Sequence, residues 1–359
     1  MTTPRVSRDD LTAAVALVLT AAGAEPDIAA EVADNLSEAD LVGRTSHGAR
    51  LIPGYVHRLK AGEVNGHARP RLASEDGAIL RVLGQNAFGQ VVGAFSAREG
   101  VRAAKKHGIA AVAVTGSSHL GRNGKWAEIA AEAGVASLHF INSPLAPSSI
   151  TPHGGAQSRL TSNPVAFGVP HPDGDHFIAD FGVGAVSVNT IKQAVENGER
   201  LAQACILDAQ GEITDDPAAF LAGNRRLLGF GGHKGFAIAV LAEMMAGLVA
   251  GGRPHLGDSG AAAVNNLFSI YIDVARLDDE GAYDDRMRAL TSWIVSSPPL
   301  DEAAPVALPG QRGRAVRGRH ERDGIPVSRG LAKALVSAAR AAGTETEFAA
   351  RWPALAQAG

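Results

Sequence analysis

The sequence predicts three α-helices before the first β-strand, and this order limits the fold more than any other feature. Ser7 followed by Asp10 has the form of a capping box, and Leu11, Val15 and Val18 recur behind it at helical spacing. Two further helical runs follow, separated by glycine and by polar turns. A nucleotide-binding domain of the Rossmann type begins instead with a strand and a glycine-rich turn. The chain therefore does not begin as a Rossmann domain.

Strands and helices alternate after this helical start. Strand patterns are predicted at 78–83, 109–114 and 135–141, and helices at 86–106 and up to about 133. Residues 142–174 are dense in Pro, Ser, Gly and Asn, and a loop of this length is usually functional. Beyond the loop, strands are predicted at 177–181 and 268–274, helices at 235–251, 279–296 and 331–342, and an irregular segment at 300–322. The pattern indicates a mixed α/β (α+β) fold.

Charge and cysteine content exclude several classes of protein. The 359 residues carry 34 Lys and Arg against 37 Asp and Glu, so they offer no excess positive charge to nucleic acid. The single cysteine, Cys205, cannot form an internal disulfide, and the first residues lack the apolar core of a signal peptide. Residues 235–252 are apolar apart from Glu243, but a core helix explains this run better than a membrane span of ~20 residues. We expect a cytoplasmic protein that binds neither nucleic acid nor membrane.

A glycine cluster at residues 229–235 is a candidate phosphate-binding site. No Gly-x-Gly-x-x-Gly fingerprint follows a strand, and Lys234 is followed by Gly235 rather than by the Ser or Thr of a Walker A loop. Glycines that lead into a helix nevertheless leave backbone N–H groups free beside the positive end of the helix dipole, and Lys234 adds a cation. A tight turn that needs glycine for positive φ explains the cluster equally well. Both interpretations stay open.

Two of the twelve histidines stand out by their context. His47 lies in a polar turn between predicted helices, and His119 follows a buried strand, where open α/β sheets place ligand chemistry. Neither has the spacing of a metal-ligand set, and we expect no metal site. A single histidine is more often structural than catalytic, but its pKa near neutrality suits it to proton transfer. His47 and His119 are therefore candidate acid–base groups.

Four motifs, taken in order, resemble those of the malate/L-lactate dehydrogenase family that lacks a Rossmann fold. That family includes malate, sulfolactate, ureidoglycolate, 2,3-diketogulonate and cyclic imino-acid oxidoreductases. No single motif is specific, but four in the same order are, and the resemblance extends from about residue 8 to residue 340. The motifs are Ser46-His47-Gly48 with Pro53 and Tyr55; Ser118-His119-Leu120-Gly121 with Ala127-Glu128; Asn142-Ser143, Ser162-Asn163-Pro164, Ala166-Phe167 and Asp180; and Gly231-Gly232-His233-Lys234-Gly235-Phe236 with Glu243.

The resemblance implies a homodimeric oxidoreductase that uses NAD or NADP. Its nucleotide-binding domain would be built on a mixed, largely antiparallel sheet, inserted into a helical and α/β substrate domain that both chain ends form. The implied boundaries are 1–120 and 301–359 for the substrate and dimerisation domain and 121–300 for the nucleotide-binding domain. The resemblance also makes the glycine cluster a cofactor contact.

Site residues follow from the same resemblance. Those implied to bind the substrate are Ser46, Arg50, Tyr55, His57 and Ser162. Those implied to bind the cofactor are Ser143, Asn163, Asp180, Phe181, Gly182, His233, Lys234, Pro309 and Gly310. Reduction of a carbonyl leaves negative charge on oxygen that a proton must neutralise, and a histidine can supply it. The catalytic candidates are His47 and His119, and we favour His47.

Three positions depart from the family pattern. Many members carry Arg four residues after the first histidine, where this chain has Leu51, with Arg44 and Arg50 nearby. A Gly-Lys pair of the family appears here as Asn189-Thr190, and a glycine appears as Thr161. The presence of Leu51 in place of arginine bears on substrate choice, because arginine binds a carboxylate through two parallel hydrogen bonds.

We therefore predict an NAD(P)-dependent oxidoreductase that transfers hydride between nicotinamide and C2 of a 2-hydroxy or 2-oxo acid. The alternative is a reductase of cyclic imino acids such as Δ1-piperideine-2-carboxylate. A second alternative is a non-catalytic nucleotide or metabolite sensor on the same fold. The presence of both His47 and His119 favours an enzyme, because a pure binding protein needs no proton-transfer groups.

Overall fold

A computed structural model describes residues 4–257, 260 and 264–357. Both ends of the chain contribute to one helical assembly. Its elements are β1 (Arg5–Val6), α1 (Arg8–Ala21), α2 (Pro26–Leu41), α3 (Ile52–Lys60), β11 (Ile325–Pro326), α10 (Arg329–Ala342), α11 (Glu345–Arg351) and α12 (Pro353–Gln357). Strands β1 and β11 pair antiparallel and so join the two ends. The predicted helix start at Ser7 is confirmed, since the Asp10 backbone N–H donates to Ser7 Oγ at 3.0 Å; the Asp10 carboxylate accepts from the Ser7 hydroxyl at 2.7 Å rather than from the Ser7 N–H of a full capping box.

A seven-stranded sheet forms the second part of the fold. Its strands are β2 (Arg71–Asp76), β3 (Ile79–Leu83), β4 (Ile109–Ser118), β5 (Val135–Asn142), β6 (Val165–Val169), β7 (Phe177–Phe181) and β10 (Val264–Asp273). They lie in the order β2-β3-β4-β10-β5-β6-β7, and only the β3–β4 pair is parallel. The predicted mixed, largely antiparallel sheet is confirmed. The sheet takes strands from both sides of residue 120, and the division into domains stays a prediction.

Helices α4 (Gly89–His107) and α5 (Gly124–Glu132) pack on the sheet. The close packing of α4 against β10 and against α5 depends on two glycines of α4. A Cβ at Gly100 would lie 2.2 Å from the ring of Tyr271, and a Cβ at Gly93 would lie 2.3 Å from the indole of Trp126. Real Cβ atoms do not approach so closely, so these positions let two large buried aromatic side chains pack directly against the helix backbone.

The other helices and strands lie in the chain between β7 and β11. They are α6 (Val188–Asn197), β8 (Ile206–Leu207), β9 (Ile213–Thr214), α7 (His233–Met244), α8 (Tyr283–Val295) and α9 (Gln311–Asp323). A π-helical turn, Met245–Val249, extends α7. Among the described residues, no helix has the length and apolar character needed to cross a bilayer.

Several sequence expectations were wrong in detail. The segment 300–322 contains α9, whose composition hides it because none of its residues is buried and its sequence is polar on every side. The loop predicted at 142–174 ends earlier than expected, because β6 begins at residue 165. Strand β4, predicted to end at residue 114, continues to Ser118. The sequence analysis also missed the edge strand β2, a polar stretch without regular alternation.

Candidate active site

The two candidate histidines lie side by side. His47 is in a pair of 3₁₀ turns, Thr45–His47 and Ala49–Leu51, that connect α2 to α3, and His119 directly follows β4. Their rings stack with centroids 5.9 Å apart and planes inclined by 16°. The fold therefore brings a helix-connecting turn from the amino-terminal assembly against the end of a central strand, and the two histidines form one site.

A buried carboxyl group supports the turn that carries His47. The backbone N–H of Ala49 donates to Asp40 Oδ2 at 2.7 Å, and a Cβ at Gly48 would lie 2.3 Å from the same carboxyl. Glycine is therefore required at position 48. Burial raises the pKa of Asp40 to about 7, against the opposing effect of the hydrogen bond from Ala49.

A chain of hydrogen bonds fixes the orientation of His119. Gln90 Nε2 donates to the hydroxyl of Tyr55 at 2.7 Å, and that hydroxyl lies 2.8 Å from His119 Nδ1. Because the tyrosine oxygen already accepts from Gln90, its own O–H is free to donate to Nδ1. A neutral His119 then carries its proton on Nε2. Tyr55, implied to contact the substrate, orients one of the two candidate catalytic histidines.

Burial gives both histidines lowered pKa values. The pKa of His119 falls to about 3, mainly because the ring is buried, and the neighbouring His47 and Arg58 lower it further. Burial also lowers the pKa of His47, and nearby Arg44 acts in the same direction. The negative charge of Asp180 opposes this shift for His47. His119 is therefore neutral near pH 7, whereas His47 is the histidine that a carboxylate helps to protonate.

Asp180 is held at the amino-terminal end of α5. The backbone N–H of Gly124 donates to Asp180 Oδ2 at 2.8 Å, where the positive end of the helix dipole favours the carboxylate. Asp180 and His47 line the same cavity of about 450 Å³, which we call the His47 cavity. Six of the residues implied by the resemblance line it: Ser46, His47, Ser162, Asp180, Phe181 and Gly182.

The glycine turn adjoins the Asp180 segment. The rings of Phe181 and Phe230 meet edge to face at 5.6 Å, and the Phe230 N–H donates to Val183 O at 3.0 Å. Gly231 and Gly232 both have positive φ, and α7 begins immediately after them. The cluster is thus a tight turn that leads into a helix. The Gly232, Lys234 and Gly235 N–H groups already donate to carbonyls within this turn, and phosphate binding stays a prediction.

Other implied residues lie apart from the His47 cavity. Arg50 lines an adjoining cavity of about 660 Å³ between α6 and α10, which we call the Arg50 cavity and which shares Arg44 and Ser46 with the His47 cavity. His57 is exposed on the last turn of α3. Gly310 lines a neighbouring cavity of about 380 Å³, the Gly310 cavity, and the adjoining Pro309 carbonyl accepts from the Ile178 N–H at 3.1 Å.

Ser143 and Asn163 have partners within the protein. The Asn265 amide donates to Ser143 Oγ at 2.7 Å. Asn163 is fully buried, and its amide group donates to the Ala239 carbonyl at 3.0 Å and to Glu243 Oε2 at 2.8 Å. The Asn163 side chain is therefore occupied in holding α7 against the loop that precedes β6.

Four residues that shape the site were not predicted from the sequence. They are Asp40, Arg44, Gln90 and Asn123. Arg44 and Asn123 line the His47 cavity, and the buried Oδ1 of Asn123 has no hydrogen-bond partner among the described residues. A polar residue on the buried face of α2 was the available signal for Asp40, and proximity to His47 was the signal for Arg44. Nothing in the local sequence distinguishes Gln90. No cluster of His, Cys, Asp or Glu in the described parts of the chain is arranged to hold a metal ion.

Comparison with known proteins shows the family. The malate/L-lactate dehydrogenase model matches residues 6–336. The chain belongs to the malate/L-lactate dehydrogenase family. Hydroxycarboxylate dehydrogenase B of Escherichia coli K12 is 34% identical over 334 residues, which are 90% of this chain and 91% of that protein. Delta(1)-pyrroline-2-carboxylate reductase of Ancylobacter novellus is 34% identical over 323 residues, with coverage of 87% and 91%.

The fold agrees with this membership. A solved structure of an Escherichia coli protein, provisionally described as a malate/lactate dehydrogenase, superposes with a TM-score of 0.92 at 31% identity. The superposition covers 98% of this chain and 99% of the solved chain. The protein is thus an oxidoreductase acting on CH–OH or C=N groups, and membership of a dehydrogenase family implies a nicotinamide cofactor.

Proposed function

We propose that the protein oxidises a 2-hydroxy acid, or reduces the corresponding 2-oxo acid, in the His47 cavity. The observation that carries the proposal is the His47 ring, which shares its cavity with Asp180 and stacks on His119; the His119 ring does not itself line that cavity. The nicotinamide cofactor, as NAD or NADP, supplies the hydride donor or acceptor. The chain supplies the proton, the hydrogen bonds to the reacting oxygen and the shape of the cavity.

Different roles for the two histidines are supported by their surroundings. His119 is neutral, and its Nδ1 is engaged by Tyr55, so it presents the Nε2 proton as a hydrogen-bond donor. Such a donor polarises a carbonyl without transferring its own proton. His47 has the nearby charge of Asp180 to favour its protonated form. We therefore assign proton donation in reduction, and proton removal in oxidation, to His47.

The residues proposed to bind the cofactor carry groups that suit the phosphates and the polar groups of a dinucleotide. The glycine turn leads directly into α7, and Lys234 is exposed in its first turn, a combination that suits a phosphate. The unpartnered Oδ1 of Asn123 on the wall of the His47 cavity can accept a hydrogen bond from an amide or hydroxyl group. We propose that the dinucleotide is bound by the segment Asp180 to Gly182 together with His233 and Lys234, and that Ser143, Asn163, Pro309 and Gly310 support this site.

Lys234→Ala should weaken binding of the reduced dinucleotide by roughly 1–3 kcal/mol, the scale of a hydrogen bond to a charged group. Fluorescence titration of the cofactor measures the dissociation constant directly. Lys333→Ala, which removes an exposed lysine from α10, is the matched control and should bind the cofactor like the wild type. Equal affinity of the Lys234 variant and the wild type would remove Lys234 from the site.

Asp180→Asn should move the pH dependence of turnover to lower pH. The amide keeps an acceptor for the Gly124 N–H but removes the charge that raises the pKa of His47. Reduction needs protonated His47 and falls as pH rises through this pKa, while oxidation needs the neutral ring and rises. Both midpoints, measured as kcat/KM against pH, should lie below those of the wild type. An unchanged midpoint would contradict the assignment of His47 as the titrating group.

Absorbance at 340 nm against a panel of 2-oxo acids, 2-hydroxy acids and cyclic imino acids tests the proposed function. We expect turnover of a 2-oxo or 2-hydroxy acid. The similarity to a pyrroline-carboxylate reductase makes cyclic imino acids the second candidate, since their C=N bond needs the same hydride and proton. Tight cofactor binding without turnover of any member of the panel would favour the sensor instead.

We also propose that the protein is a homodimer. Helix α8 contains no buried residue, and its Leu290 and Trp293 are 54% and 78% exposed. Exposed apolar surfaces of this kind mark contact sites between proteins. The molecular mass in solution, measured by light scattering, tests this proposal. A cytoplasmic location stays a prediction, consistent with the free, buried thiol of Cys205.

A further inference from the structure

A 2-oxo or 2-hydroxy acid carries a carboxylate beside the reacting carbon, and the proposed function leaves this group without an assigned partner. A carboxylate that leaves water needs a cation or several hydrogen-bond donors. Three arginines lie in the turn that carries His47 or on the wall of the His47 cavity: Arg44, Arg50 and Arg122. Their surroundings differ, and the differences select one of them.

Arg122 lines the His47 cavity, but its charge is already balanced. Its guanidinium donates to Glu38 Oε2 at 2.8 Å and to Glu128 Oε2 at 2.5 Å. Arg122 is only 6% exposed, so these ion pairs are shielded from water. A substrate carboxylate would have to compete with two carboxylates of the protein, and Arg122 is therefore a structural cation.

Arg50 faces a different space. It lines the Arg50 cavity with Lys192 and Arg329. Arg44 and Ser46 line that cavity as well as the His47 cavity, but His47 does not line it. The following residue, Leu51, packs against the helical core and cannot contribute a polar contact. Neither residue therefore stands on the wall of the His47 cavity.

Arg44 combines the two properties that a carboxylate ligand requires. It lines the His47 cavity together with Ser46 and Ser162, and its exposed side chain has no hydrogen-bond or ion-pair partner among the described residues. It also lies in the same polar turn as His47, which fixes its backbone close to the acid–base group. No other arginine or lysine that lines this cavity is without a partner in the described part of the chain.

We propose that Arg44 is the specificity-determining residue that binds the substrate carboxylate next to C2. This inference rests on the proposed function and names the part of the substrate that the cavity recognises. A guanidinium group binds a carboxylate through two parallel N–H donors, so it also orients the neighbouring carbon. The chemical class selected is a 2-oxo or 2-hydroxy acid with a free carboxylate, and the corresponding ester or amide is disfavoured.

The test measures binding of oxalate, a carboxylate probe that cannot be reduced, to the protein loaded with reduced dinucleotide. Arg44→Ala should weaken oxalate binding, measured by calorimetry, by about 10–100-fold, as expected for the loss of a charge-assisted hydrogen bond. Arg44→Lys should recover part of the affinity because it restores the charge without the bidentate geometry. Arg71→Ala, at an exposed position on the edge strand β2, is the matched control and should bind like the wild type.

A second measurement uses the acid that the wild type turns over fastest and its methyl ester. Arg44→Ala should raise KM for the acid and leave KM for the ester nearly unchanged, so that the preference for the acid is reduced. Weaker dinucleotide binding with unchanged oxalate binding would overturn the proposal and assign Arg44 to the cofactor. A loss of oxalate binding in Arg50→Ala but not in Arg44→Ala would overturn it in favour of Arg50. Oxalate binding needs no turnover, so this inference and the proposed function can fail separately.

Discussion

His47→Ala should lower kcat by about 10²-fold or more in both directions of the reaction. The variant loses the proton donor of reduction and the proton acceptor of oxidation, while the Asp180 segment and the glycine turn are untouched. The dissociation constant of the cofactor should therefore stay close to that of the wild type. Single-turnover kinetics with the preferred 2-oxo acid separates this loss in the chemical step from any change in binding.

The comparison variant is His119→Ala, because its ring stacks on that of His47, although His47 is the one of the two that lines the His47 cavity. We expect it to raise KM more than it lowers kcat, since His119 orients and polarises the substrate in our assignment. If His119→Ala abolishes turnover while His47→Ala retains nearly full kcat, the two roles are reversed. The acid–base group would then be the histidine held by Tyr55.

Glu38→Ala should cost about 3–5 kcal/mol of folding free energy near neutral pH, because it leaves buried positive charge without its partner. Glu38 is 1% exposed, accepts from Arg122 at 2.8 Å, and forms a second ion pair with Arg317 of α9. Burial alone would raise the pKa of Glu38, but Arg122, Lys125 and Arg317 outweigh it and hold the pKa below its ordinary value. Urea unfolding at a fixed protein concentration measures the loss.

The pH dependence of this loss has a defined sign. A carboxyl group with a lowered pKa in the folded state contributes stability above its unfolded pKa, and that contribution disappears as pH falls through the folded value. The difference between wild type and Glu38→Ala should therefore decrease on acidification. Glu345→Ala is the control, because its ion pair with Arg340 lies at the surface and should have little effect. Equal destabilisation by the two substitutions would show that the buried ion pairs of Glu38 contribute no more to the free energy of folding than a surface ion pair does.

Local signals in the sequence were sufficient for most helices and for the central strands. The Ser7 cap, the helical spacing behind it and the continuous apolar strand of residues 109–114 each depend on neighbours within a few positions. Elements without such a signal were missed. The polar strand β2 is held by antiparallel pairing with the next strand, β3, and the arginine-rich helix α9 by contacts with distant residues such as Glu38, rather than by their own patterns.

Strand order in the sheet is decided by distant pairing. Strand β10 lies between β4 and β5, although β5 follows β4 closely in the sequence. Both neighbours of β10 are antiparallel to it over most of their length. An apolar strand indicates only that its two faces are buried and not which strand covers its edge, so the order could not be derived from residue patterns.

The sequence by itself determined the chemical groups of the candidate site: a histidine in a polar turn, a second histidine after a strand, and a glycine turn with a lysine. Only the tertiary structure decided how these groups differ. It stacks His47 on His119, gives His119 a tyrosine partner, and pairs Arg122 with Glu38 and Glu128, while no residue in the described part of the chain pairs with Arg44. The physical reason is that desolvation and charge pairing set the pKa of a histidine and the availability of an arginine, and both depend on residues that are distant in the sequence and close in space.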